Sequence, residues 1–140
     1  MIIKTKFFGE VEADEKEKIN FPHGIPGFEE YKSFVLLDIE GKEDLKCLQS
    51  TDEISVCLLL ILPWNYFSDY ELELSDEEIK ELEIESYSEV AVYNVLTVKE
   101  DRITANLMAP IVINVIKNKG KQIIFSGTKY SLRQEIPCLY

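Results

Sequence analysis

The residues able to do chemistry are few. His23 is the only histidine, so no multi-histidine metal site can form, and nothing local pairs it with a cysteine as nucleophile. It stands in Pro22-His23-Gly24-Ile25-Pro26-Gly27, where an exposed or loop-bonded histidine is expected. Cys47, Cys57 and Cys138 are odd in number and lack C-x-x-C spacing, which points to a reducing compartment and away from a disulfide framework. There is no G-x-S-x-G, no P-loop and no dinucleotide fingerprint. Carboxylates remain, 26 of them, but abundance without spacing does not define an acid–base pair. The chain is therefore expected not to be an enzyme, with no cofactor and no metal. The alternative is a cytosolic enzyme using a carboxylate pair on a small β-barrel.

Those carboxylates say more as a field. The net charge is −11, divided as −16 over residues 1–101 and +5 over residues 102–140. Most of the chain would repel phosphates, which disfavours direct nucleic-acid binding; the +5 segment is the only opening for it. A basic protein partner fits better, because a field of one sign steers its opposite. The strongest concentration is Asp69–Glu89, with 10 carboxylates against the single Lys80. Within it Tyr70-Glu71-Leu72-Glu73-Leu74 alternates in strand fashion, setting Glu71 and Glu73 on one face and the apolar side chains on the other. A solvated helix face is the ordinary meaning of such a run.

Two aromatic groupings flank this region. Phe21–Phe28 packs two Pro and two Gly between aromatics, a rigid turn in which Gly24 and Gly27 take positive φ while Phe21 and Phe28 enter the core. Trp64, Phe67 and Tyr70 follow Pro63 at three-residue intervals and are expected to seal the core, with exposed anchors as the other possibility.

The elements that must position these residues are mostly strands. Residues 1–8, 33–39, 54–62, 89–99, 102–108, 111–116 and 122–125 read as β from apolar runs, alternation and β-branched content. Asn118-Lys119-Gly120 reads as a tight hairpin with Gly at positive φ. Ser75 followed by Glu78 is a capping box that opens one short helix, with Ile79 and Leu82 as its apolar positions. No linker, repeat or low-complexity segment interrupts the chain. Its longest apolar run, Val56–Leu62, is far below the ~20 residues of a membrane span. The expected fold is all-β: a small antiparallel β-barrel-like single domain over residues 1–140 with one short helix, soluble and cytoplasmic, with no membrane partner.

Motifs along nearly the whole chain then combine. Ile19-x-Phe21 leads to Gly24-Ile25-Pro26-Gly27-Phe28-Glu29, followed by Leu48-Gln49-Ser50-x-Asp52, Pro63 and Phe67-x-Asp69-Tyr70. Thr104-x-Asn106-Leu107-x-Ala109-Pro110-Ile111-x-Ile113-Asn114, Gly120-x-Gln122 and Tyr130-x-x-Arg133 close the series. In this order the chain resembles the FliW family of flagellar assembly factors.

That resemblance implies a non-enzymatic regulator with a β-barrel-like fold. It would bind flagellin in the cytoplasm before secretion, in a chaperone-like role. It would also bind the small basic RNA-binding regulator CsrA and stop it repressing flagellin translation, so that flagellin level sets flagellin synthesis. A basic partner gives the acidic run a complement, with Glu71, Glu73, Glu77 and Glu78 as the expected contacts. For flagellin the resemblance implies an amphipathic helix in an apolar groove. Asn106, Pro110, Ile111, Asn114, Tyr130 and Arg133 are the motif residues expected to anchor or support that groove, and Asn106 and Asn114 could equally tie down buried backbone.

Overall fold

The structure, a computed structural model, describes residues 1–125 and 129–136. Its strands are β1 (Ile2–Thr5), β2 (Gly9–Glu12), β3 (Ile19–Asn20), β4 (Ser33–Ile39), β5 (Lys42–Ser50) and β6 (Cys57–Ile61). The helix α1 (Asp76–Glu81) precedes β7 (Val90–Val98), β8 (Ile103–Ala105), β9 (Ile111–Asn114), β10 (Lys119–Gln122) and β11 (Gln134–Glu135). The order β7-β6-β5-β4-β3-β10-β9 closes on itself through a β7–β9 pairing, which makes a barrel, while β8 and β11 extend the sheet from β7 and β1–β2 forms a separate hairpin. Every ladder is antiparallel except the single β3–β10 bridge. The fold is thus all-β, a small single domain with one α-helix among the described residues.

The apolar runs are explained by burial on both faces. In β4, Phe34 and Leu36 enter the barrel interior with Phe21, Leu48, Leu60, Ile111 and Ile113. Their neighbours Val35 and Leu37 point outward and are covered by Ile3 of β1 and by Ala13, just after β2. In β6, Leu58 and Leu60 face inward, while Leu59 and Ile61 pack outward with Tyr70, Leu96 and Leu107. Val112 of β9 points outward against Leu74 and Leu82, so α1 and the segment before it roof that side. A strand covered on both faces needs no polar alternation.

Some local readings shift. β5 was not anticipated, because it begins with charge and ends on buried polar residues. Gln49 is fully buried there: its Nε2 donates to the Ile54 and Val56 carbonyls, and its Oε1 accepts from Lys6 N–H. Phe7 and Phe8, read with the first strand, lie beyond it and are exposed. The capping box at α1 is half formed: Ser75 Oγ accepts from Glu78 N–H, but the return bond is absent among the described residues. Full boxes stand at Asp14/Glu17 and Ser86/Glu89.

The β9–β10 turn is Val115–Asn118, and Asn118, not Gly120, takes the left-handed φ of 54°. Gly120 lies within β10 beneath Phe21, where a Cβ would come 2.4 Å from the ring. Strand β10 ends at Gln122, short of Phe125, though Ile123 N–H still reaches Pro110 O and Phe125 N–H reaches Met108 O. Gly24 and Gly27 take positive φ as expected, Phe21 is fully buried and Phe28 half-buried. Cys47 and Cys57 are free thiols; Cys138 lies outside the described residues.

Candidate protein-interaction surface

β8 and β9 run along the same partner, β7, yet their registers differ. Leu96 pairs with Ala105, whereas Tyr93 pairs with Ile111, so three extra residues are looped out between the two strands. This insertion is the Asn106–Pro110 motif, and polar side chains pin it. Asn106 Oδ1 accepts from Ala109 N–H at 2.9 Å, and Gln122 Nε2 donates to Ala109 O at 2.9 Å. From beneath, Asn94 Nδ2 donates to Asn106 O at 2.9 Å and Tyr70 Oη to Leu107 O at 2.7 Å. A bulge frees backbone groups, and each must find a partner once buried.

Tyr70 links this bulge to the surface. Burial pushes its hydroxyl pKa up, as expected for a phenol inside the protein. Its ring packs on Tyr130 at 4.6 Å and on Trp64 at 5.9 Å between centroids. Trp64 Nε1 donates to Tyr70 O at 2.7 Å, while Glu71 N–H donates to Tyr130 Oη at 2.7 Å. Residues 70–74 belong to no ladder; the side chains of Trp64 and Tyr130 anchor their backbone instead. The expected alternation survives: Tyr70 and Leu74 are buried, Leu72 half-buried, Glu71 and Glu73 exposed. Trp64, Tyr70, Glu71, Leu72 and Glu73 line an open depression of about 630 Å³. Trp64, expected to seal the core, is 45% exposed at its rim.

The acidic run divides in two. Toward its C-terminal end Glu81 pairs with Lys121 at 2.8 Å and Glu83 with Lys119 at 2.6 Å. Those lysines hold both carboxyls below the usual range, and His23 adds a 3.5 Å contact to Glu81 while staying largely exposed. Glu89 is turned to its own backbone, accepting from Glu85 and Ser86 N–H. Glu71, Glu73, Asp76 and Glu77 are exposed and make no ion pair among the described residues. Glu78 is different, half-buried with Oε2 lacking a hydrogen-bond partner among them. Two of the cations in the +5 segment are thus already neutralised.

The predicted residues do not all meet. Tyr130 reaches the backbone at Glu71 and the ring of Tyr70, two residues that line the depression. Asn106 and Pro110 lie behind it in the bulge, and Pro110 and Ile111 are buried. Asn114 sits at the far end of β9, fully buried, where Nδ2 donates to Leu82 O and Glu83 O and Oδ1 accepts from Ile116 and Lys117 N–H. Arg133 is exposed before β11, beside the β7–β8 hairpin. Asn114→Ala strands four backbone groups, so unfolding free energy is expected to fall by about 3 kcal/mol. Urea denaturation checks this: the midpoint should drop with the slope unchanged, and an unmoved midpoint refutes the role.

Among the described residues no group of three or more His, Cys, Asp and Glu could hold a metal ion, and no helix is long and apolar enough to cross a membrane. A family model described as FliW protein matches residues 2–136. The flagellar assembly factor FliW of Geobacillus sp. (strain WCH70) is 45% identical over 138 residues, covering 97% of this chain and 95% of the relative. That of Thermosipho africanus (strain TCF52B) is 43% identical, covering 91% and 90%. A crystal structure of the flagellar assembly factor FliW superimposes with a TM-score of 0.92 at 43% identity, covering 97% of this chain and 96% of that one.

Proposed function

Because this chain belongs to the FliW family, we propose that it is a cytoplasmic flagellar assembly factor, a non-catalytic protein that holds flagellin before export and antagonises CsrA. The observation that supports a binding role is the placing of unpaired carboxylates beside an aromatic depression. Glu71 and Glu73 rim the hollow in which Trp64 and Leu72 present apolar surface, with Tyr70 buried at its lining. An amphipathic helix from flagellin would lay its apolar side there, with Tyr130 holding the backbone at Glu71 and the Asn106–Pro110 bulge and Ile111 as support from behind, while Asn114 supports the fold at the other end of β9. CsrA, basic where it grips RNA, would engage Glu71, Glu73 and Glu77. Glu78 contributes less directly, because one of its oxygens is buried. In this reading both partners draw on Glu71 and Glu73, so each excludes the other, and rising flagellin would free CsrA to repress translation.

The test is competition between purified proteins. Trp64 is the only tryptophan, and it stands half in solvent, so its emission reports on the depression. A flagellin terminal-helix peptide lacking Trp should shift that emission to the blue and displace CsrA as it saturates. If the chain binds neither protein, the proposal fails. If both bind at once, the shared surface is wrong.

A further inference from the structure

Arg133 belongs to the motif series, yet the partner surface gives it no task. It lies instead at a second cavity, of about 180 Å³, lined by Thr97, Lys99, Arg102, Thr104 and Arg133. Local structure brings these together. Thr97 and Thr104 are directly opposed across β7 and β8, and Lys99 N–H donates to Arg102 O at 2.9 Å as the hairpin closes. β11 pairs with β8 at Gln134–Ala105, which carries Arg133 to the same place. Among the described residues, five line the pocket, three of them cations and none a carboxylate.

That is unexpected in a chain with 26 acidic and 15 basic residues. Lys18, Lys46, Lys119 and Lys121 have carboxylate partners; Lys99, Arg102 and Arg133 are among the cations that form no ion pair among the described residues, and what sets these three apart is that they share one hollow. Three like charges converging on one hollow repel one another unless an anion compensates them. Two guanidiniums offer paired N–H donors, the ammonium a point charge, and the threonine hydroxyls two more donors. That donor set exceeds what the two oxygens of a carboxylate can use and suits a tetrahedral oxyanion.

We propose that this pocket binds a small phosphate-class ligand, inorganic phosphate or the phosphate of a small monoester, gripped by Lys99, Arg102 and Arg133 with Thr97 and Thr104 completing the shell. A polynucleotide fits less well. Glu100 and Asp101, between Lys99 and Arg102 in the hairpin turn, and Glu135, paired with Thr104, are exposed and would repel a continuing phosphodiester backbone.

The experiment is calorimetric titration of the full chain with inorganic phosphate, against sodium chloride at matched ionic strength. Saturable binding to phosphate alone is expected, about tenfold weaker in Arg133→Gln and lost in the Arg102→Gln/Arg133→Gln double variant, with folding verified by circular dichroism. Glycerol phosphate, titrated against glycerol, separates the two sources: tighter binding than inorganic phosphate assigns the pocket to a monoester, weaker binding to the free ion. Heats equal to those of chloride, or phosphate affinity unchanged in the double variant, overturn the proposal. So does a short single-stranded RNA that binds more tightly than phosphate and loses affinity in the same variants.

Discussion

Reversing Glu71, Glu73 and Glu77 to Lys is expected to weaken binding to CsrA on the order of a hundredfold at low salt, since like charges set against each other cost several kcal/mol. The three side chains are exposed and unpaired, so reversal breaks no internal contact and the fold should keep its thermal midpoint. The loss should shrink as salt rises, because the screening length falls from about 10 Å at 0.1 M to about 3 Å at 1 M. The matching Gln variants should lose less, as they remove attraction without adding repulsion. Glu81 and Glu83 provide the contrast. Reversal there confronts Lys121 and Lys119, so the effect should fall on stability and leave CsrA affinity nearly intact. Titrations at two salt concentrations decide the matter; wild-type affinity of the triple variant at low salt would remove the acidic contact.

The second large effect is internal. Gly120→Ala should lower unfolding free energy by about 3 kcal/mol and the thermal midpoint by about 10 °C. The added methyl would meet three ring atoms of Phe21, all within 3 Å, and Phe21 is fully buried among Ile19, Phe34, Ile111 and Ile113. Its ring is further held edge-on against Phe34 at 5.3 Å. Neither ring has free space to yield into. Phe21→Leu alone should also destabilise, but in combination with Gly120→Ala it frees volume, so the double variant should be more stable than the two losses added together. Thermal melts of the four proteins measure the coupling, and simple additivity would show that the contact is not the cause.

Several features were legible because they are local. Ser33–Ile39 was read as a strand and is β4, and Gly24 and Gly27 take the backbone angles their turn demands. The exposed and buried sides of residues 70–74 follow from alternation alone, even though no ladder forms there. β5 is not legible in the sequence because its buried end is polar: Gln49 and Ser50 satisfy turn backbone inside the protein, which a hydrophobic pattern does not encode. The turn falls at Val115–Asn118 and not at the glycine, because Gly120 makes room for the Phe21 ring and it is Asn118 that takes the positive φ.

The sequence by itself determined the family, the all-β class and the concentration of negative charge between residues 69 and 89, since these rest on residue identity and short-range order. Only the tertiary structure decided which of those carboxylates are available. Glu81 and Glu83 are neutralised by lysines about 40 residues away, Glu89 serves its own backbone, and Glu71, Glu73 and Glu77 are left to solvent. It likewise moved Trp64 to the surface and gathered Lys99, Arg102 and Arg133 around one hollow. The reason is physical: charge and side-chain type are carried by each residue alone, but pairing and exposure depend on which distant strands the barrel brings alongside.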